Sequence, residues 1–253
     1  DDVPIKILGK FRPWQNVPAV FRLARWIDEV RPDILLSAWS VPNVFASEAL
    51  RWTRHKPFWI ARIANDPEAR EKALYGAWAR AGYRRADAFI AVCDGLGHAF
   101  AAKYPFAAGR VHTVHNGVNT ETLSRVSPKK TNVQGNKVQL ISVGRLHKQK
   151  RYDVLLRALA RARSQEDVHL SFLGDGEERG ALVKLANDLD IAEDITWLGF
   201  QSDPYPYVAA ADIFVLTSDY EGLSNALLEA QGLGLPAVVT DCRFGNAEVV
   251  SHG

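Results

Sequence analysis

Apolar residues along the chain fall into short runs, separated by stretches in which they recur every three or four positions. A short apolar run bounded by turn residues reads as a buried strand, and the 3.6-residue recurrence reads as amphipathic helix. In the first half, residues 18–30 (PAVFRLARWIDEV) set Val20, Leu23, Ala24, Ile27 and Val30 on one helical face. Residues 33–38 (DILLSA), 57–63 (PFWIARI), 86–92 (ADAFIAV) and 110–118 (RVHTVHNGV) read as strands. Helices are predicted between them at 43–52, 67–86 and 94–104, the second opening on Pro67, which a helix accepts in its first turn.

Residues 119–136 (NTETLSRVSPKKTNVQGN) break the pattern; polar, with Ser-Pro and paired lysines, they read as a linker. The alternation then restarts. Strands are predicted at 137–143, 168–174, 194–200, 212–218 and 236–241, with helices at 150–163, 176–190, 203–211 and 224–232. Strands alternating with helices imply βα units and parallel sheets. The economical fold is α/β: two Rossmann-like, doubly wound domains facing a cleft, at 1–118 and 137–253, joined by the 119–136 linker.

Composition adds limits. The 253 residues are 47% hydrophobic and 24% charged, a globular balance with enough chain for a sizeable core. No run of 18 apolar residues is present, so a membrane span is not expected. The opening DDVPIKILGK is no signal peptide, and a chain without methionine is not expected to begin at its translation start. Cys93 and Cys242 are isolated, which provides neither a disulfide framework nor metal-ligand spacing and favours a reducing compartment. Charge is unevenly spread: residues 1–130 carry 20 Lys+Arg against 12 Asp+Glu, and residues 131–253 carry 11 against 17. The basic half suits an anionic acceptor or membrane surface, although scattered surface charge is the simpler alternative.

Ligands of open α/β sheets bind beyond the carboxyl ends of the strands, and three segments place chemistry there. In VGRLHKQKRYD, Gly144 ends a strand and Arg145 and Lys150 flank the turn, a pair of cations suited to a diphosphate or simply a solvated turn. In LGDGEERGAL, Gly174 allows close approach of a ligand to backbone, without a full dinucleotide fingerprint. In EGLSNALLEAQG, Ser224 is a plausible N-cap, and the amides of Leu223 to Asn225 would favour an anion by about 0.3–1 kcal/mol. Glu221 and Glu229, eight residues apart, would then serve neutral sugar hydroxyls, or be ordinary helix-start acids. Eight helical residues rise about 12 Å, a poor separation for a hydrolytic carboxylate pair.

Together VGRLHKQKRYDVLL, GDGEERGAL, LGF and ADIFVLTSDYEGLSNALLEAQGLGLPAVVTD resemble the donor domain of family 4 (group 1) retaining glycosyltransferases of the GT-B fold. The likeness runs from about Lys137 to Gly253, and HNGVN at 115–119 resembles the segment leading to the linker. The first half fits more loosely, as part of an acceptor-binding N-terminal domain. The resemblance implies that Arg145 and Lys150 hold the donor diphosphate, Glu221 contacts the transferred sugar, and Gly222, Leu223, Ser224 and Asn225 line the sugar and phosphate site. Glu229 would bind ribose with Leu228 beside it, and Phe200 and Gln201 would lie near the base.

The implied activity is transfer of a hexose or N-acetylhexosamine from a nucleotide-diphosphate sugar, expected to be UDP-linked, to a lipid-linked or polysaccharide acceptor. Neither cofactor nor metal is expected, the D-x-D at Asp188 to Asp190 reading as a helix end, and nucleic acid is not among the expected partners. A cytoplasmic protein, peripheral on the inner membrane face through its basic half, is the implied setting. The family's glycine-rich loop after the first strand and its C-terminal crossing helix have no counterpart here, so the chain reads as truncated at both ends. No histidine is assigned a catalytic role, and Asn65, Asp66 and the aromatics Tyr75, Trp78 and Tyr83 are candidates to face the acceptor or to be structural. A non-catalytic nucleotide-sugar-binding module, or a GT-B epimerase or phosphorylase, are the alternatives.

Overall fold

Each apolar run expected to be a strand forms one, and every pairing among the described residues is parallel. The computed structural model describes residues 16–66, 73–129 and 137–251, and the chain divides into two units, Asp1–His115 and Asn116–Gly253.

The first unit holds β1 (Ile34–Ala38), β2 (Phe58–Ile63), β3 (Ala88–Ala91) and β4 (Val111–Thr113) in that spatial order. It also holds α1 (Asn16–Val30), α2 (Ser40–Trp52), α3 (Ala73–Tyr83) and α4 (Asp94–Lys103). Right-handed crossovers in a sheet that grows in one direction put α2, α3 and α4 on one face. Burial follows: Trp59, Ala61, Phe89 and Ala91 are fully buried, while Ile34, Leu36 and Phe58 on the opposite face are exposed. A buried polar chain ties strand to helix, with Trp59 Nε1 donating to Ser37 Oγ (2.8 Å), Ser37 Oγ to Asn43 Oδ1 (2.7 Å) and Asn43 Nδ2 to the Arg62 carbonyl (3.2 Å). Such pairing removes the cost of burying those groups. Tyr83 is core, its ring edge-on to Phe89, Phe100 and Tyr104, so it does not face an acceptor. Trp78 is exposed and donates to Glu48, and the side chain of Tyr75 lies outside the described residues.

In the second unit β5 (Val138–Val143), β6 (Val168–Leu173), β7 (Ile195–Gly199), β8 (Ile213–Leu216) and β9 (Ala237–Val239) are ordered β7-β6-β5-β8-β9. The chain builds outward from β5 to β7, then returns to build outward again through β8 and β9, which is double winding with its reversal between β5 and β8. Alternate residues feed the two faces. Leu170, Phe172 and Val215 join one core with α6 (Tyr152–Ala162) and α7 (Arg179–Asp188). Ile141, Phe214 and Leu216 join the other with α8 (Tyr205–Val208) and α9 (Asn225–Gly232).

Two helices were not expected. α10 (Asn246–Val249) follows β9, and α5 (Thr120–Ser124) lies within the segment read as linker. Asn119 caps α5 by accepting from the Thr122 amide (2.9 Å), and Leu123 is buried. The rest of that segment from 130 to 136, like the start of the predicted 67–86 helix, lies outside the described residues. The strand expected over 110–118 is limited to Val111–Thr113.

Candidate active site

Adjacent β5 and β8 bring the loops that leave their carboxyl ends, residues 144–151 and 217–224, side by side at the point where the winding reverses. Lys150 ends a 3₁₀ turn, Lys148–Lys150, with its Nζ 2.6 Å from Glu221 Oε1, and the hydroxyl of Ser218 donates to that same oxygen at 2.6 Å. The Lys150 and Glu221 side chains are only 16% and 11% exposed, so this is a largely desolvated ion pair. Hydrogen bonds to backbone carbonyls fix the loops to each other. Thr217 Oγ1 donates to the carbonyls of Lys150 (2.9 Å) and Arg151 (3.1 Å), Gln149 Nε2 to that of Tyr220 (2.8 Å), and the Asp219 amide to that of Gln149 (2.9 Å). Arg151 starts α6 in a left-handed conformation (φ 47°), and its guanidinium holds Asp153 (3.0 Å) and Asp219 (2.8 Å). Those carboxylates raise its affinity for the proton.

Glycines let these loops close up. A Cβ at Gly174 (φ 141°) would lie 2.0 Å from the Gly144 carbonyl oxygen, and one at Gly245 (φ 78°) 1.9 Å from that of Gly222. Gly144 presents its bare face to Lys150, whose Cε would be 3.2 Å from a Cβ there. Gly144, Gly174, Lys150 and Glu221 are therefore grouped in space as well as in expectation.

Arg145 leaves the same loop but points outward, 68% exposed, with Nη2 3.0 Å from Glu177 Oε2. The Glu177 amide and the charge of Arg145 hold the Glu177 carboxyl below its usual range. His147 joins them, Nε2 3.5 Å from Glu177 Oε1 and Nδ1 accepting from the Gln149 amide at 3.1 Å. Both cations assigned to a diphosphate thus hold carboxylates in this structure.

Beyond Glu221 the chain enters α9. Ser224 is its N-cap, as expected, with Oγ accepting from the Leu227 amide at 3.4 Å. Gly222, Leu223 and Ser224 are buried and Asn225 is exposed. The first amides of any helix have no carbonyl of their own helix to bond, which makes this end receptive to an anion. Asn116, more than a hundred residues earlier, donates through Nδ2 to the Leu223 carbonyl (3.2 Å) and to Asn225 Oδ1 (2.7 Å).

Leu228 and Glu229 are half-buried on α9. Burial pushes the Glu229 carboxyl up, against the opposing hydrogen bond from the Tyr205 hydroxyl at 3.5 Å. Gln201 is held at both ends of its amide, Nε2 donating to the Leu198 carbonyl (2.9 Å) and Oε1 accepting from Tyr207 (3.3 Å). Phe200 beside it is 80% exposed. The two tyrosines of α8 therefore connect the positions expected to meet the nucleoside. Asp188 to Asp190, by contrast, lie where α7 ends on the way into β7, at the amino ends of the strands and away from the loops of the site, where Arg163 engages the Asp190 carbonyl and Asp194.

Sequence reasoning missed Ser218, Asn116, Glu177, Tyr205 and Tyr207. Asn116 stands in the HNGVN segment and Glu177 in GDGEERGAL, but neither was given a role, and Ser218 is a polar residue closing the apolar run of β8.

Residues 124–253 match the family described as glycosyl transferases group 1, and residues 2–122 match glycosyltransferase family 4. The chain belongs to the group 1 glycosyltransferases. An uncharacterized glycosyltransferase of Methanocaldococcus jannaschii is 24% identical over 255 residues, covering 94% of this chain and 63% of that protein. A lipopolysaccharide 1,6-galactosyltransferase of Salmonella typhimurium is 26% identical over 244 residues, covering 92% of this chain and 63% of that protein. Anabaena HepE, solved in complex with UDP, shares the fold with a TM-score of 0.77 at 20% identity, over 93% of this chain and 66% of its own. The fold class is GT-B, as the resemblance implied. The chain spans less than two thirds of the length of these three proteins.

Proposed function

We propose that the chain provides the donor site and part of the acceptor side of a retaining glycosyltransferase. It would move a hexose or N-acetylhexosamine from a UDP-linked sugar to a lipid-linked or polysaccharide acceptor, with no divalent metal. The observation that carries this reading is the Lys150–Glu221–Ser218 cluster at the β5/β8 reversal, directly before the N-terminus of α9. A cation, a carboxylate and a helix start in sequence match what a sugar diphosphate presents: anionic phosphates next to neutral hydroxyls. As the bond from the anomeric carbon to the diphosphate breaks, charge gathers on the departing phosphate. Lys150, Arg145 and the amides of residues 222–225 stabilise it as fixed groups that need no reorganisation. Glu221 orients the sugar, and an acceptor oxygen attacks from the face the diphosphate leaves, its proton passing to the diphosphate. Glu229 takes the ribose hydroxyls, with Phe200 and Gln201 towards the base.

The galactosyltransferase activity named for the Salmonella relative and the UDP bound to HepE support this choice of donor and acceptor class. Contact with the inner membrane face is supported by α1 and α2, where the exposed rings of Phe21 and Trp52 lie 5.2 Å apart and Arg54, just past α2, is exposed, while Arg25 and Arg51 pair with Glu29 and Glu48. No helix among the described residues is long and apolar enough to cross a membrane. The test is incubation with UDP-sugars and lipid-linked acceptors in EDTA, followed by mass spectrometry. Acceptor gaining one hexosyl unit is the expected product; UDP binding without transfer would instead favour a non-catalytic binding module.

A further inference from the structure

We propose that Asn116 is a positioning residue for the donor diphosphate, acting through the loop at the start of α9; this rests on the donor-site reading above. Its side-chain amide has two hydrogens, and both are committed, to the Leu223 carbonyl and to Asn225 Oδ1. The opposite amide orientation would set its oxygen against two acceptors, so the hydrogen-bond network assigns which end faces the loop. In a trans peptide the carbonyl and the following N–H point in opposite directions. Holding the Leu223 carbonyl towards Asn116 therefore turns the Ser224 N–H away from it. Holding Asn225 by its oxygen likewise leaves the Asn225 Nδ2 on the far side of that side chain. One residue thereby aims two donors of the expected phosphate site.

Asn116 leads into a stretch of chain that is held against the same unit at two places. Leu123 is buried against α9, its Cδ1 2.6 Å from where a Gly232 Cβ would be. The Lys129 amide donates to the Pro206 carbonyl at 2.8 Å, and its Nζ to the Tyr207 hydroxyl at 2.8 Å. A side chain on a mobile tether could not fix a peptide plane.

The readout is preference for a nucleoside diphosphate over the monophosphate, which isolates the outer phosphate. Calorimetry compares UDP with UMP, and GDP with GMP in parallel, for the wild type, Asn116→Asp and Asn116→Ala. Asn116→Asp keeps the shape but faces carboxylate oxygens to two acceptors. Loss of two hydrogen bonds worth about 1 kcal/mol each should cut diphosphate affinity about tenfold or more while monophosphate affinity stays within about twofold. Asn116→Ala, which adds no repulsion, should lower the preference about threefold or more, and it decides the matter if the aspartate variant does not fold. An unchanged preference in the variants, or equal losses for both phosphates, would overturn the role of Asn116 alone. A wild type with no preference for diphosphate would overturn the donor-site reading and this inference together.

Discussion

Lys150→Ala should destabilise the chain far more than an ordinary surface substitution. It removes the positive charge 2.6 Å from a carboxylate that is only 11% exposed. At that distance, with an effective dielectric constant of about 20, the pair attraction is about 6 kcal/mol. Desolvation of both ions offsets part of this, and breaking such a pair from one side typically costs about 3–5 kcal/mol because the remaining charge stays buried. For a chain of this length, each kcal/mol moves Tm by about 2–4 °C, so a fall of roughly 6–20 °C is expected. Glu221→Gln in the Lys150→Ala background removes the stranded charge, and its amide can still accept from Ser218. The double variant should regain a large part of the loss. Thermal melts of the wild type, both single variants and the double variant close the cycle. A Lys150→Ala melt within about 2 °C of wild type, or a double variant no more stable than Lys150→Ala, would refute the energetic account of the pair.

Arg145→Ala should leave stability within about 0.5 kcal/mol, since its pair with Glu177 is exposed, yet weaken UDP binding about tenfold or more in calorimetry. Unchanged UDP affinity would remove Arg145 from the site. Gly174→Ala sets a Cβ 2.0 Å from backbone that cannot step aside, and its urea midpoint should fall by the equivalent of at least about 3 kcal/mol; a wild-type midpoint would contradict the observed packing. The Glu229 carboxyl has its pKa raised by burial, so its contribution is fully present below the unfolded pKa and is lost as pH rises through the folded one. Glu229→Gln should therefore melt above wild type at pH 7, with the gap closing towards pH 4, while binding UDP more weakly; a gap that widens on acidification would reverse the sign.

The strands were legible because burial demands apolar side chains: Val168–Leu173 is buried at all six positions, and only His169 and Ser171 interrupt its apolar residues. Loop glycines such as Gly144 and Gly174 were legible as strand ends. The mutual pairing of Lys150 and Glu221 was not. They are 71 residues apart, and their meeting depends on β5 neighbouring β8, which follows from strand order rather than from local pattern. Read separately, the lysine was given a phosphate and the glutamate a sugar. α5 escaped notice because five residues with one buried leucine carry no periodicity. On α1 the expected stripe was shifted: Ala19, Ala24 and Ile27 are buried, while Val30, at the open end of the helix, is 45% exposed.

The polar stretch after Val118 invites a cut there by anyone wishing to isolate the second unit. The contacts of Leu123 and Lys129 make that an expensive place to divide the molecule. A fragment beginning at residue 137 would uncover a slot along Gly232 and release α8 from its lysine strut. One beginning at Asn116 would bring its own plug for that slot, and is the piece expected to fold and to retain affinity for nucleotide by itself.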